Sequence, residues 1–112
     1  MKDKILSTLG LMYRAKCLIF ADAILDGFAK GRVKYLLLAK DASDKTKERY
    51  LKKCYYYQIP YCLDYDSDEL SMTLGKRNVR TVGVIDKGFA SLLIKEKGGI
   101  SNGETNKEKS EQ

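Results

Sequence analysis

Histidine and tryptophan are both missing from the 112 residues, and proline occurs once, at Pro60. Without imidazole there is no Ser-His-Asp or Cys-His nucleophile pair and no imidazole acid–base catalyst. The three cysteines, Cys17, Cys54 and Cys62, are an odd number with no C-x-x-C spacing, which argues against a disulfide framework. A zinc site would have to combine Cys with carboxylates alone, an improbable donor set. Each Cys lies in an apolar or aromatic stretch, so buried structural thiols are expected. Gly27 and Gly31 have the wrong spacing for a P-loop or a dinucleotide fingerprint. No apolar run is long enough to span a bilayer. Asp3, Ser7, Thr8 and Arg14 make the first turns too polar for a signal-peptide core. The expectation is a protein without catalysis, cofactor, metal or membrane partner, working in the reducing cytoplasm.

What is present is a core and an excess of positive charge. Hydrophobic residues make up 44% of the chain, enough to bury a real core, and the length fits one domain. The formal net charge is +6 and the isoelectric point near 9.2. Such a balance fits either solubility or a polyanionic partner, because clustered Lys and Arg displace the counterions condensed on nucleic acid. Residues 97–112 carry one aliphatic residue and no aromatic, and read as a flexible polar tail. Its three Lys and three Glu cancel, so the net charge of +6 belongs to residues 1–96, the expected folded domain.

Along that domain the pattern alternates. Ile5, Leu6, Leu9, Met12 and Tyr13 recur at helical spacing over 3–14. Residues 17–20 form a short apolar run, and Ile24, Leu25 and Phe28 mark a helix over 22–30 that Gly31 ends. The nearly continuous apolar run 33–39 predicts a strand buried on both faces. Ser43 or Asp44 caps a helix over 45–56 with Tyr50, Leu51, Cys54 and Tyr55 inward. A strand over 58–63 carries Pro60 near its start or at an edge. Asp66 and Glu69 stand at capping-box spacing before a helix that Gly75 stops. A last strand over 81–85 precedes a helix capped by Asp86. Alternation of this kind means an α/β fold with helices on both faces of a sheet.

Three groups of residues are candidates for function. Asp64, Asp66, Asp68 and Glu69 form an acidic knot that lacks the glycine and terminal Glu of an EF-hand, and helix capping explains it better than a cation site. Tyr55, Tyr56, Tyr57 and Tyr61 offer rings for base stacking, but packing in the core and at its boundary is the expected role. Lys45, Lys47, Arg49, Lys52 and Lys53 read as a solvated helix face. The sequence Lys76-Arg77-Asn78-Val79-Arg80, between a glycine and a strand, is the favoured site: a compact loop on a rigid scaffold, suited to phosphate.

Four ordered motifs carry a resemblance. Residues 10–15 (GLMYRA), 36–43 (LLLAKDAS), 70–76 (LSMTLGK) and 84–90 (VIDKGFA) resemble the YlxQ-type bacterial branch of the kink-turn RNA-binding ribosomal-protein family, known from archaeal and eukaryotic large subunits. The likeness runs from about Gly10 to Leu93. It implies a three-layer αβα sandwich with a mixed four-stranded sheet. It also implies an RNA surface built from the start of the second helix, the turn after the central strand and the loop before the final strand. The family's G-x-N-E-x-x-K signature falls here on Phe20 for the Gly, Asp22 for the Asn, Ala23 for the Glu and Asp26 for the Lys, so the base-reading amide and the phosphate-contacting ammonium are replaced. Lys40 and Arg77–Thr81 remain, with Lys16 nearby. The RNA-binding set read this way is Lys16, Phe20, Asp22, Ala23, Asp26, Lys40, Lys76, Arg77, Asn78, Val79, Arg80 and Thr81. The implied partner of a monomer is structured RNA, ribosomal or kink-turn-containing, with the ribosome as a wider context and no DNA. The alternative is a diverged member that serves translation as a protein-interaction module, with Phe20 as an exposed apolar contact.

Overall fold

A computed structural model describes residues 4–97. Its elements, in chain order, are α1 (Lys4–Arg14), β1 (Leu18–Phe20), α2 (Asp22–Ala29), β2 (Tyr35–Leu38), α3 (Asp44–Tyr57), β3 (Tyr61–Cys62), α4 (Ser67–Leu74), β4 (Thr81–Val84) and α5 (Lys87–Lys97). The expected alternation is therefore present, and α5 extends one residue into the stretch read as tail. The rest of that stretch, 98–112, lies outside the described residues.

The helix ends follow local chemistry. Ser43 caps α3 by accepting the Thr46 N–H at 3.1 Å. In the capping box of α4, Asp66 Oδ1 accepts the Glu69 N–H at 2.8 Å and Glu69 Oε1 accepts the Asp66 N–H at 3.0 Å. Asp86 Oδ2 accepts the Phe89 N–H at the start of α5. Four helices stop through one left-handed residue followed by a six-to-one closure: Lys16 after α1, Gly31 after α2, Gln58 after α3 and Gly75 after α4. Two of these are the glycines the sequence offers as stops. The other two, Lys16 (φ 61°) and Gln58 (φ 60°), are residues for which this backbone is disfavoured.

The sheet runs β1-β4-β2-β3. β4 lies antiparallel to both β1 and β2, while β2 and β3 are parallel, so the sheet is mixed. β2 is buried at every position, as its apolar run requires, and β3 is shorter than expected because Gln58 is spent on the cap of α3. Pro60 precedes the edge strand β3, where its missing N–H costs no ladder bond, and its carbonyl accepts the Leu36 N–H at 3.0 Å. α1 packs on α4 and α5, and α2 packs on α3. Together with the sheet these make the αβα sandwich. The core includes Ile5, Leu9, Met12, Ile24, Phe28, Leu36, Leu37, Leu70 and Leu93, all essentially inaccessible to solvent. Gly83 permits the close seat of α2, since a Cβ there would stand 3.1 Å from both Ile19 Cγ1 and Ile24 Cγ1.

Candidate nucleic-acid interface

Strand direction places the candidate residues. Phe20 pairs with Val82, and Leu38 with Thr81. Because β4 opposes β1 and β2, the chain leaving β1 into α2, the chain leaving β2 into Lys40, and the loop entering β4 all meet at one end of the sheet. Open α/β sheets bind their ligands beyond strand ends of this kind.

The loop 75–80 is fixed at several points. Gly75 is left-handed (φ 67°), and Asn78 adopts φ 53°, a conformation Asn tolerates better than most side chains. The Val79 N–H donates to Ser71 Oγ at 2.9 Å, which ties the loop to α4. The Arg80 carbonyl accepts the Ala39 N–H at 2.8 Å, and the Lys40 N–H donates to the Tyr65 carbonyl at 2.9 Å. Arg80 and Lys40 are thereby held just outside the adjoining ends of the neighbouring strands β4 and β2, at the same end of the sheet. Lys76, Arg77, Asn78, Arg80 and Lys40 are all exposed.

Lys76 has a defined seat. Its Nζ stands 4.9 Å from the centre of the Phe20 ring and 5.7 Å from that of Tyr13. The two rings meet edge to face, with centroids 5.7 Å apart. Phe20 is thus half-buried under a cation, not the free apolar contact expected of it. Tyr13, read from the sequence only as part of the α1 face, is 39% exposed and belongs to this site. Its signal is slight: a ring with a polar tip at the last position of an otherwise aliphatic stripe. Ser71, the anchor of the loop, is likewise not legible from the chain, because a serine inside a helix carries no sequence signature of the loop it holds.

α2 buries Ile24, Gly27 and Phe28, which leaves Asp22, Ala23 and Asp26 exposed, as a binding face requires. Asp26 is paired with Lys30 at 3.0 Å, so part of its charge is already answered within the helix. The entry to α2 is unusual: Ala21 has φ 51° and ψ −128°, and makes no side-chain cap. The sequence reading puts the family's glycine at Phe20, but the backbone that favours glycine is at the next residue. Its carbonyl accepts the Tyr50 hydroxyl at 3.2 Å and the Ile24 N–H at 2.9 Å, which holds the turn.

Three candidates need correction. The side chains of Val79 and Thr81 are buried, 4% and 7% exposed, because Val79 closes the core beneath the loop and Thr81 begins the central ladder. They shape the loop without facing outward. Lys16 sits at the opposite end of β1, beside the Cys17 carbonyl that accepts the Ile85 N–H, so roughly 13 Å of strand separates it from Phe20.

Negative charge is also present at this end. Asp41 accepts the Ser67 N–H at 2.8 Å and the Ser67 hydroxyl at 2.7 Å. These hydrogen bonds, and more weakly the charge of Arg80, hold its carboxyl below the usual carboxylate range. Asp41 and Asp66 both serve the N-terminus of α4, where the helix dipole favours anions. Among the described residues no group of three or more His, Cys, Asp or Glu side chains is placed to hold a metal ion. Among the described residues the cysteines are thiols and not disulfides, and burial pushes Cys54 up to about 12.

Fold and site together define an αβα sandwich that presents a cationic loop and an aromatic-seated lysine at one end of its sheet. The chain belongs to the YlxQ family. It is 36% identical over 87 residues to the RNA-binding protein YlxQ of Bacillus subtilis, covering 77% of this chain and 87% of that protein. It is 29% identical over 90 residues to the RNA-binding protein YlxQ of Enterococcus faecium, covering 80% and 86%. A Bacillus halodurans protein described as of unknown function superposes with a TM-score of 0.80 at 34% identity, covering 84% of this chain and 96% of that one. The Giardia lamblia 15.5kD RNA binding protein shares the fold, with a TM-score of 0.67 at 12% identity and 86% of each chain covered. No family model matches the chain.

Proposed function

We propose that this protein is a non-catalytic RNA-binding protein of the cytoplasm that recognises folded RNA of the kink-turn kind. The observation that carries the reading is the convergence of Lys40, Lys76, Arg77 and Arg80 at the end of the sheet where α2 begins. The names of the two relatives support RNA as the ligand. A fixed loop of cations suits phosphate, which sets the register of an RNA without reading its sequence. The exposed face of α2 carries Asp22, Ala23 and Asp26, so base readout is weak and backbone contacts dominate affinity. Structured ribosomal RNA is the natural class of target, with the monomer as the binding unit. The alternative, a diverged member acting as a protein-interaction module, keeps its motive in the altered helix start Phe20 to Asp26 but loses Phe20 as a fully exposed apolar contact, since Tyr13 and Lys76 lie against that ring.

Titration of a kink-turn RNA at low salt tests the reading. Wild type binds, and Arg77→Ala with Arg80→Ala weakens binding and lowers the salt slope by about 1.8, for two phosphate contacts. Lys16→Ala, at the opposite end of β1, changes neither. The paired change Ala23→Glu and Asp26→Lys tightens binding roughly tenfold or more, since the restored Glu alone adds ~1–3 kcal/mol as a good base contact and the Lys replaces repulsion of phosphate by attraction. Absence of binding at low salt would sink the proposal.

A further inference from the structure

The outer face of α3 departs from the solvated face expected of it. Tyr55 and Tyr56 are 83% and 76% exposed, where the sequence favours packing. At about 100° per residue, Lys45, Arg49, Lys52 and Tyr56 fall within an arc of about 60° and form one stripe roughly 16 Å long. Lys53 flanks it on one side and Tyr55 on the other. Among the described residues none of Lys45, Arg49, Lys52 and Lys53 takes part in an ion pair, although Glu48 lies on the same helix. Tyr56 is braced: its ring meets Tyr57 edge to face at 4.8 Å, and Tyr57 stacks on Phe28 of α2 at 5.9 Å with an interplanar angle of 9°. The stripe starts next to Ser43, three residues beyond Lys40, and runs away from the strand-end interface toward Gln58.

We infer that this face of α3 is a second RNA-binding surface that takes single-stranded RNA, with Arg49 and Lys52 on the phosphates and the braced Tyr56 ring stacked on an unpaired base. Unpaired cations in a row supply the backbone attraction, and an exposed ring beside them supplies a stacking platform indifferent to base identity. A duplex would use the cations but leave the rings idle, and an acidic protein would have no use for a stacking face. Continuity with Lys40 lets a strand leaving folded RNA at the sheet end run down α3. The inference rests on the reading that the protein binds RNA, but uses residues outside the proposed kink-turn interface.

The test is fluorescence anisotropy of labelled decauridylate with the full chain at low salt. Wild type binds. Tyr56→Ala loses roughly tenfold or more in affinity, while Tyr56→Phe, which keeps the ring, stays close to wild type. Arg49→Ala with Lys52→Ala lowers the salt slope by about 1.4, the single-strand value for two phosphates. Circular dichroism establishes that each variant is folded. No binding of decauridylate, or binding that none of these changes weakens, overturns the inference. Binding that depends on Tyr56 alongside failure to bind kink-turn RNA overturns the reading above and supports this one. The reverse pattern overturns this one alone.

Discussion

Several residues here carry backbone or charge states that a substitution can read directly. Ala21 turns the chain into α2 at φ 51°, where a Cβ is a burden and glycine is not. Ala21→Gly is expected to raise stability by about 1 kcal/mol, measured by thermal or urea unfolding, provided relief of strain outweighs the added freedom of the unfolded chain. Asp41 gives a pH test. Its carboxyl is lowered in the fold by the Ser67 hydrogen bonds first, and by Arg80 to a lesser degree. A lowered folded value means the native state holds the ionised form, so this contribution is present above the unfolded carboxylate range. It is lost as pH falls through the folded value. Acid titration of stability should show a loss below about pH 4 that Asp41→Asn reduces, whereas an unchanged acid limb would contradict the contact. The thiols separate as well. Cys54, raised to about 12 by burial, should resist a thiol reagent at pH 8 in the native protein and react on unfolding.

At the scale of elements, the loop 75–80 is only as well placed as its ties to α4 and β2. Ser71 Oγ is its sole side-chain anchor on α4 among the hydrogen bonds of the described residues. Ser71→Ala strands the Val79 N–H beneath the loop and should cost about 1–3 kcal/mol in unfolding free energy. Because the same bond positions Lys76, Arg77 and Arg80, RNA affinity should fall with it, and a loss of stability without loss of affinity would separate the loop from the binding surface. α2 depends on a close approach to the sheet. Gly83→Val drives a branched side chain toward Ile19 and Ile24 and should destabilise by about 1–3 kcal/mol or more, measured by denaturant unfolding.

For the molecule as a whole, sheet order does what no single motif does. Antiparallel placement of β4 between β1 and β2 collects three chain segments at one end, each far from the others in sequence. Charge is distributed unevenly over this frame: cations at the loop and along α3, carboxylates partly consumed in capping α4 and α5. Salt is therefore a global probe. Binding of RNA to the wild type should weaken linearly in the logarithm of salt concentration, at about 0.9 per phosphate contacted for duplex-like contacts and about 0.7 for a single strand. A salt-independent affinity would remove the electrostatic basis of both proposed surfaces.

The order of elements, most caps and the presence of a basic loop before the last strand follow from the chain alone. Hydrophobic periodicity and capping chemistry act over a few residues, and the four ordered motifs, 10–15 to 84–90, add the family's fold. Helix stops were legible at Gly31 and Gly75 but not at Lys16 and Gln58, since only packing obliges those two to accept a left-handed backbone. Tertiary structure alone decided which candidates meet. It set Lys76 over Tyr13 and Phe20, buried Val79 and Thr81, sent Lys16 to the far end of β1, and left Tyr55 and Tyr56 in solvent. The physical reason is that exposure and proximity depend on strand pairing and helix rotation, which join residues distant in sequence, while local propensity reports only on neighbours along the chain.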